Sequence, residues 1–466
     1  MIQAFKNVFA IPELRKRVMF TFALLGVYRI GSHIPTPGID DQALSRLFEQ
    51  QGGSILGFVD MFSGGNFSKL TIFALGIMPY VTASIILQLL TVVWPYLEKL
   101  SKEGEAGRKK ITQWTRYGTV LLSLVQSFGI AMWLESSNVS GVGQIVVNPG
   151  WGFRLMTMIT LTTGTAFIMW LGEQISERGV GNGISLIIFA GIVVGLPGAV
   201  IQTLQDLQSG AINPFVVLLL LVLMVAVVGA VVLVERAQRR IPIQYARRVV
   251  GRRVYGGTTT YLPLRVNTGG VIPVIFASSM LAIPQTIGQI PALRDIGWVQ
   301  AIVRQLDYSS MLYNLLYAAL IVFFCFFYVS IIFNPIDQAD NMKKYGGFIP
   351  GIRPGRKTAE YIDRILSRLT FGGAMYLAAI SLLPVILISG LRIQTLPFVG
   401  PSLEAVIPDS LKWITQGLNL KFFFGGTSLL IVVGVAMDTV QQIESQLIMR
   451  HYEGFMKGTR IRGRRG

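Results

Sequence analysis

The chain is a series of long apolar segments separated by shorter polar ones. Each apolar segment approaches the length of about 20 residues that a helix needs to cross a lipid bilayer. The segments are continuously apolar, without the alternation and the shorter length of membrane barrel strands, and they therefore predict helices. Ten spans are expected, at 18–34, 71–95, 117–134, 155–172, 184–204, 214–234, 269–290, 309–333, 369–390 and 422–441.

The composition favours an all-α polytopic membrane protein over a soluble one. Hydrophobic residues make up 52% of the chain and charged residues 14%, and the mean hydropathy is +0.56. A soluble chain carries roughly 25% charged residues. Within the ten segments only Arg29 and Asp438 are charged, and both lie near the end of a span, from which a side chain reaches the interface.

The basic residues indicate how the chain is oriented. Most of the 41 Lys and Arg residues fall on the side of the two termini, whereas acidic residues outnumber basic ones on the other side. Since cytoplasmic segments of membrane proteins are enriched in lysine and arginine, both termini and the basic loops 235–268 and 334–368 are predicted to be cytoplasmic.

The number of spans predicts two halves. An N-terminal half, 1–204, and a C-terminal half, 205–441, would hold five spans each, followed by a basic cytoplasmic tail, 442–466. Because five is odd, two similar halves would face opposite ways in the membrane, as inverted repeats do, with a pathway between them. Aliphatic residues beside small ones recur in spans two, five, seven and ten. Turned to a central axis they would form a dry constriction; contact with lipid or with the core is the alternative.

The residues available for chemistry do not form a catalytic or ion-binding pattern. His33 and His451 lie on opposite sides of the membrane, and Cys325 lies in an aromatic run. RGVGNG, 178–183, is too irregular for a nucleotide fingerprint and is interpreted as a flexible turn into the fifth span. The middle of every span is uncharged, which disfavours an ion-coupled transporter. We therefore expect no enzyme, metal or cofactor, with a small-solute transporter and a membrane enzyme as the alternatives.

Three further segments have features beyond topology. The outer segment Ser54–Phe62 is apolar but too short to span, which predicts either a segment folded back into the bundle or an interfacial helix. In the loop 235–267, Gly256 and Gly257 stand between Val/Tyr/Thr-rich flanks and predict a two-stranded finger. Both long basic loops suit RNA phosphates or an acidic partner, with anionic lipids as the alternative.

These segments together resemble the SecY family, the channel-forming subunits of the bacterial protein-secretion translocon. The resemblance covers essentially the whole chain and rests on long motifs. They are IPTPGI at 34–39, MFSGGNFSKLTIFALGIMPYVTASIILQLL at 61–90, KEGEAGRKKITQWTRYGT at 102–119, ERGVGNGISLIIFAGI at 177–192, GRRVYGGTTTYLPLRVN at 251–267, GVIPVIFASS at 270–279, FNPIDQADNMKKYGGFIPGIRPG at 333–355 and FFFGGTSLLIVVGVAMD at 422–438.

The resemblance implies a clamshell of two pseudo-symmetric inverted halves around an hourglass pore. It implies four sets of functional residues. The pore ring is Val81, Ile85, Ile184, Ile188, Ile275 and Ile431; valine stands at 81 where related chains often have isoleucine. The plug, within about 54–67, is Ser54, Ile55, Leu56, Phe58, Val59, Met61, Phe62 and Phe67. The lateral gate is Thr82, Gln126 and Ser279. The docking residues are Arg247, Arg248, Arg252, Arg253, Arg353, Arg356 and Lys357.

The function implied is a protein-conducting channel that passes unfolded polypeptides across the bacterial cytoplasmic membrane and releases apolar segments sideways into lipid. A motor ATPase or the ribosome would drive it. The implied partners are the small membrane subunits SecE and SecG, the SecA motor, the ribosome with its large-subunit rRNA and exit-tunnel proteins, precursor polypeptides with signal sequences, and anionic lipids.

Overall fold

The computed structural model describes residues 11–50, 60, 63–136, 145–210, 213–245, 248–250, 253–255, 259–288, 296–306, 310–388, 390 and 426–458. By contact these fall into two compact units. The first contains Met1–Gln202, Ala282–Val303 and Val435–Gly466, and the second contains Thr203–Leu281 and Arg304–Gly434. The division into the halves 1–204 and 205–441 stays a prediction.

The described residues are mostly helical. The helices are α1 (Pro12–Gly31), α2 (Asp41–Gln50), α3 (Met78–Val93), α4 (Pro95–Lys102), α5 (Glu105–Ser136), α6 (Trp151–Arg178), α7 (Gly183–Gln208), α8 (Pro214–Arg236), α9 (Ile272–Gly288), α10 (Gly297–Gln305), α11 (Met311–Ile332), α12 (Pro335–Lys344), α13 (Arg356–Ile388) and α14 (Gly426–Gly458). The strands are β1 (Gln238–Tyr245), β2 (Arg248–Val250), β3 (Arg253–Tyr255), β4 (Thr259–Arg265) and β5 (Gly347–Phe348).

Each of the ten predicted spans coincides with a helix, but the helices differ in length and polarity. Among the described residues six helices are long and apolar enough to cross a membrane, in order α5, α6, α7, α8, α11 and α13. The bent pair α3 and α4 would make a seventh. Helix α9 is shorter, and α1 begins with several charged residues. The chain is thus a helical multi-pass membrane protein.

Prolines determine where several helices begin and bend. Pro79 lies in the first turn of α3, where a missing N–H costs no helical hydrogen bond. Trp94 precedes Pro95 and is extended (φ −102°, ψ 113°), because a residue before proline is kept out of the helical region. The chain therefore bends by 100° between α3 and α4. Asn213 and Asn334 cap α8 and α12, each followed by a proline.

The first basic loop contains the predicted hairpin, with two differences. Strands β1 and β4 pair antiparallel, and β2 pairs with β3 so that Val250 faces Arg253. The chain therefore reverses between β2 and β3, whereas the sequence predicts the turn at Gly256 and Gly257, which lie outside the described residues. Strand β5 of the second basic loop adds a third strand to the sheet, in the order β4-β1-β5.

Candidate functional site

The first unit holds four of the six ring positions. On α3, Val81 and Ile85 are one turn apart and share a face, and both side chains are buried. On α7, Ile188 is buried. Ile184, in the first turn of α7, is half-buried and packs beside Gly172 of α6. All four side chains are aliphatic and form no hydrogen bonds, as a dry constriction requires.

The second unit holds the other two ring positions and one gate position. Ile275 on α9 and Ile431 on α14 are buried, the latter completely. Ser279 follows Ile275 by one turn, and its hydroxyl donates to the Ile275 carbonyl at 2.7 Å. Satisfied in this way, the hydroxyl adds little polarity to the face that it shares with Ile275. Gly434 allows α14 to approach Val271, where a Cβ would collide with the valine side chain.

The two remaining gate positions lie on neighbouring helices of the first unit. Thr82 on α3 is buried and Gln126 on α5 is half-buried. The two helices approach closely at Gly118, where a Cβ would lie 3.5 Å from Ala83 Cβ. Small residues at such a crossing let membrane helices pack by their backbones.

Most of the plug falls outside the described residues, namely Ser54, Ile55, Leu56, Phe58, Val59, Met61 and Phe62. Phe67, at its end, is described and buried. Its ring stacks on Trp133 with centroids 6.4 Å apart and meets Phe48 edge-on at 5.6 Å. Aromatic contacts of this kind add to the energy of burial, so Phe67 is firmly held in the core of the first unit.

Asp60 organises the described end of the plug segment. Its Oδ1 accepts hydrogen bonds from the backbone N–H of Phe67 at 3.0 Å and of Ser68 at 2.8 Å. The Ser63 hydroxyl donates to the same oxygen at 3.3 Å. Burial raises the pKa of the Asp60 carboxyl above its ordinary value, while the hydrogen bonds from Ser68, Phe67 and Ser63 lower it in part.

A second group of hydrogen bonds ties the same turn to α1. Asn66 donates from Nδ2 to the Tyr28 hydroxyl at 3.1 Å and to the Ser63 carbonyl. The Tyr28 hydroxyl donates to the Ser63 carbonyl at 3.3 Å. Gly64, at φ +75°, lies directly against the backbone of Gly191 on α7. Sequence reasoning missed Asp60 and Asn66; their signal is the presence of polar residues beside an otherwise apolar segment.

Arg353, Arg356 and Lys357 stand on one body built from both basic loops, whereas Arg248 and Arg253 lie in the separate sheet of β2 and β3. The sheet of this body, β4-β1-β5, packs on α12 and α13 around a continuous apolar core. The buried members of that core are Ile241, Ile243, Leu264, Met342, Ile349 and Ile362. Since the core draws on both loops, neither loop has an independent apolar interior. Sequence reasoning treated the two loops separately and missed this joint core.

Arg353 lies in a fixed turn at the surface of this body. It stands between Gly351 and Gly355, whose φ values of +80° and +101° favour glycine. The Thr358 hydroxyl donates to the Arg353 carbonyl at 3.0 Å, while the Arg353 side chain is exposed. The backbone is thus held while the guanidinium stays available to a partner.

The other docking residues differ in how far the structure describes them. Arg356 and Lys357 are highly exposed and share the carboxylate of Glu360, at 3.2 and 3.3 Å. Such surface pairs contribute little to stability and leave the two cations accessible. Arg248 and Arg253 lie in β2 and β3, where only the backbone is described. Two positions fall outside the described residues, Arg247 and Arg252.

Comparison with known proteins identifies close relatives over nearly the whole chain. The SecY family model matches residues 71–440. The protein translocase subunit SecY of Escherichia coli (strain K12) is 48% identical over 452 residues, which cover 97% of this chain and 96% of the relative. The protein translocase subunit SecY of Streptomyces coelicolor is 48% identical over 466 residues, covering 98% of this chain and 100% of the relative.

Solved structures share the fold. A structure of a protein-conducting channel matches with a TM-score of 0.61 at 19% identity, over 92% of this chain and 91% of the other. Sec61 in the canine ribosome-channel complex from the endoplasmic reticulum matches with a TM-score of 0.57 at 19% identity, with the same coverage. The helical fold, the family match and the full-length relatives together lead to one conclusion: the chain belongs to the SecY family of protein translocase channel subunits.

Proposed function

We propose that this member of the SecY family conducts unfolded polypeptides through a pore between two five-span halves. The ten helices that coincide with the predicted spans would form a clamshell in the bacterial cytoplasmic membrane, with both termini in the cytoplasm. The observation that carries the proposal is the 48% identity to a protein translocase subunit over 97% of the chain. At that level the fold and the channel role are shared along the whole length.

The waist of the pore would be the ring of Val81, Ile85, Ile184, Ile188, Ile275 and Ile431. A pore for unfolded chains cannot bind one sequence tightly, because the chain would then not leave. Aliphatic side chains suit this task, since they close on any polypeptide without forming hydrogen bonds to it. The burial of Ile188, Ile275 and Ile431 supports the proposal, because it withdraws these side chains from lipid.

The lateral gate, at Thr82, Gln126 and Ser279, would sort segments by hydrophobicity. A sufficiently apolar segment gains free energy by leaving for lipid, roughly −0.3 to −0.6 kcal/mol for each central Leu, Ile, Val or Phe. A polar segment stays in the aqueous path and crosses. The plug, within about 54–67, would close the outer side of the ring between substrates.

The driving force would come from outside, since the sequence offers no phosphate-binding loop and we propose no catalysis or cofactor. The basic body formed by the two loops would receive a motor ATPase or the ribosome, with Arg247, Arg248, Arg252, Arg253, Arg353, Arg356 and Lys357 in contact with the partner. A solved relative of the same fold is bound to a ribosome, which supports this choice over lipid contact alone. Small membrane subunits would complete the assembly.

Reconstitution tests the proposal. The chain, with its small subunits and motor, is placed in proteoliposomes, and a radiolabelled precursor with a signal sequence is added. We expect the precursor to become protected from protease only when the motor hydrolyses ATP. Saturable uptake of a small solute by the chain alone, without precursor protection, would instead favour the transporter alternative.

A further inference from the structure

The loop between α6 and α7, residues 178–183, is a fixed connector and not the flexible turn that its glycines suggest. A Cβ on Gly179 would collide with the Thr21 hydroxyl, and a Cβ on Gly183 would collide with the carbonyl oxygen of Gly172. Gly181 has φ +88° and lies against Leu186. The glycines are therefore explained by close packing and by a left-handed backbone, both of which hold the loop in one conformation.

Helix α1 holds the loop through a hydroxyl. The backbone N–H of Val180 donates to Thr21 Oγ1 at 3.0 Å, and that hydroxyl donates in turn to the Arg17 carbonyl at 3.0 Å. The Val180 side chain is buried beside Leu14, and Val18 packs against them. Because a buried N–H without a partner is costly, the Thr21 hydroxyl stabilises this loop by accepting the hydrogen bond of Val180.

The C-terminal part of α14 holds the loop from another direction. The backbone N–H of Gly181 donates to Gln442 Oε1 at 3.1 Å. Ile443 and Leu447 of α14 pack against the same cluster as Val180. The loop is thus fixed by α1 and α14 at consecutive peptide groups, all within the first unit.

The loop also sets the start of α7. The N–H of Gly183 donates to Ser176 Oγ at 2.8 Å, which ties the first residue of α7 to α6. Asn182 Oδ1 accepts from the N–H of Ile184 at 3.1 Å and so caps the helix. Ile184 follows at once, and Ile188 lies one turn further on the same face. A rotation of the first turn would therefore turn both ring positions together.

We propose that Thr21 and Gln442 are positioning residues for the pore ring. Together with residues 178–183 they form what we name the clasp. The clasp holds the first turn of α7 from α1 and α14, and it thereby fixes the direction in which Ile184 and Ile188 point. The proposal rests on the proposed function, because it takes these two isoleucines to be part of the ring.

The test measures ion leak through the resting channel in proteoliposomes that contain the chain with its small subunits. Thr21→Val keeps the shape but removes the acceptor for Val180, and we expect leak to rise roughly 3- to 10-fold, the range for one lost hydrogen bond. Thr21→Ser keeps the hydroxyl and should restore a wild-type seal. The matched control is Thr115→Val, which removes a buried hydroxyl that donates to the Ile111 carbonyl of its own helix.

The possible outcomes distinguish a failure of the clasp proposal from a failure of the proposed pore ring. Ile188→Asn serves as the positive control for the ring. Two results would contradict the proposed role of the clasp. In the first, Ile188→Asn raises ion leak while Thr21→Val leaves it at the wild-type level. In the second, Thr115→Val raises ion leak as much as Thr21→Val does. If neither Ile188→Asn nor Thr21→Val raises ion leak, the proposed pore ring is contradicted. If Thr21→Val does not accumulate in the membrane, Gln442→Leu replaces it in the same leak measurement. This variant removes the acceptor for the Gly181 N–H and should also raise ion leak.

Discussion

Asn66 donates a hydrogen bond of 3.1 Å to the hydroxyl of Tyr28, which joins the end of the plug segment to the last turn of α1. The same hydroxyl donates to the Ser63 carbonyl at 3.3 Å. Both residues are almost completely buried, at 1% exposure for Asn66 and 4% for Tyr28. Because buried polar groups depend on one another for hydrogen bonds, this pair connects the position of the turn to α1.

Replacing Tyr28 with phenylalanine tests this connection. Tyr28→Phe keeps the ring that stacks on Phe73 but removes the hydroxyl, so that Asn66 loses one of its acceptors. We expect a loss of about 1–3 kcal/mol in the free energy of unfolding. Thermal unfolding of the solubilised complex measures the loss. Tyr345→Phe, at a position that is 78% exposed, is the control and should unfold like the wild type; equal midpoints for both variants would contradict the role of the pair.

Asp60 predicts a dependence of stability on pH. Its pKa is raised in the folded chain by burial, so its contribution to stability is fully present below the ordinary pKa and is lost as pH rises through the raised value. Asp60→Asn keeps an oxygen that can accept from Phe67 and Ser68 but cannot ionise. The variant should therefore gain stability relative to the wild type as pH rises.

The measurement is the unfolding midpoint of both proteins from about pH 3 to about pH 8, a range that brackets the ordinary carboxyl pKa and values above it. The difference between the midpoints should grow with pH and then level off. A constant difference would show that Asp60 titrates as an exposed carboxylate does.

The ring makes a prediction in the second unit. Ile431 is fully buried on α14 and Ile275 nearly so on α9. Asparagine at either position places a hydrated amide where the proposed seal excludes water, so Ile275→Asn and Ile431→Asn should raise ion leak and admit precursors with defective signal sequences. Ile431→Val keeps an aliphatic side chain and should behave nearly as the wild type. Unchanged leak and unchanged export selectivity in both asparagine variants would remove these positions from the ring.

Arg353 makes a prediction about docking. Its turn is fixed by Thr358 while its side chain is exposed, so Arg353→Glu changes the surface without disturbing the core. We expect affinity for the ribosome and stimulation of the motor ATPase to fall roughly tenfold, as for a reversed charge-assisted contact. Membrane insertion of the chain should not change. Arg368→Glu, exposed on α13, carries the same charge change and is the control; equal losses for both variants would indicate net charge alone.

Sequence patterns predict features that depend on local composition. The apolar helices are of this kind, because a continuous apolar run is costly anywhere except in lipid or a core. The resemblance to the SecY family also rests on contiguous motifs. The pattern overestimates α3, predicted to begin at 71 and found to begin at Met78. Pro79, in the first turn of α3, marks this start.

Features that depend on residues distant in sequence escape the same patterns. Asp60 and Asn66 are isolated polar residues that form no sequence pattern, and their role follows only from their burial in the folded chain. The glycines of the loop 178–183 predict a flexible turn when the loop is considered alone. The hydrogen bonds to Thr21 and Gln442, which hold it in place, come from residues distant in the sequence. Strand β5 has only two residues, too few for a periodic signal, and it exists because β1 of the other loop offers an edge.

The junction of the two basic loops makes the last prediction. Strand β5 pairs with β1 through Gln244 with Phe348 and Tyr245 with Gly347. A Cβ on Gly347 would lie 3.1 Å from both Ile243 and Tyr245 side chains, so Gly347→Val would force β5 from the sheet at a cost of about 1–3 kcal/mol. Arg353, six residues on, would be chemically intact but no longer held in place.

We therefore expect Gly347→Val to weaken ribosome and motor binding several-fold, with faster amide hydrogen exchange in β1 as the structural signature. Tyr345→Val introduces the same side chain at an exposed, uncharged position before the strand and should change neither measurement. If exchange in β1 accelerates while both affinities are preserved, the two loops bind their partners independently. If the affinities for the ribosome and the motor fall together with faster amide exchange in β1, the partner binds one surface whose geometry depends on both loops.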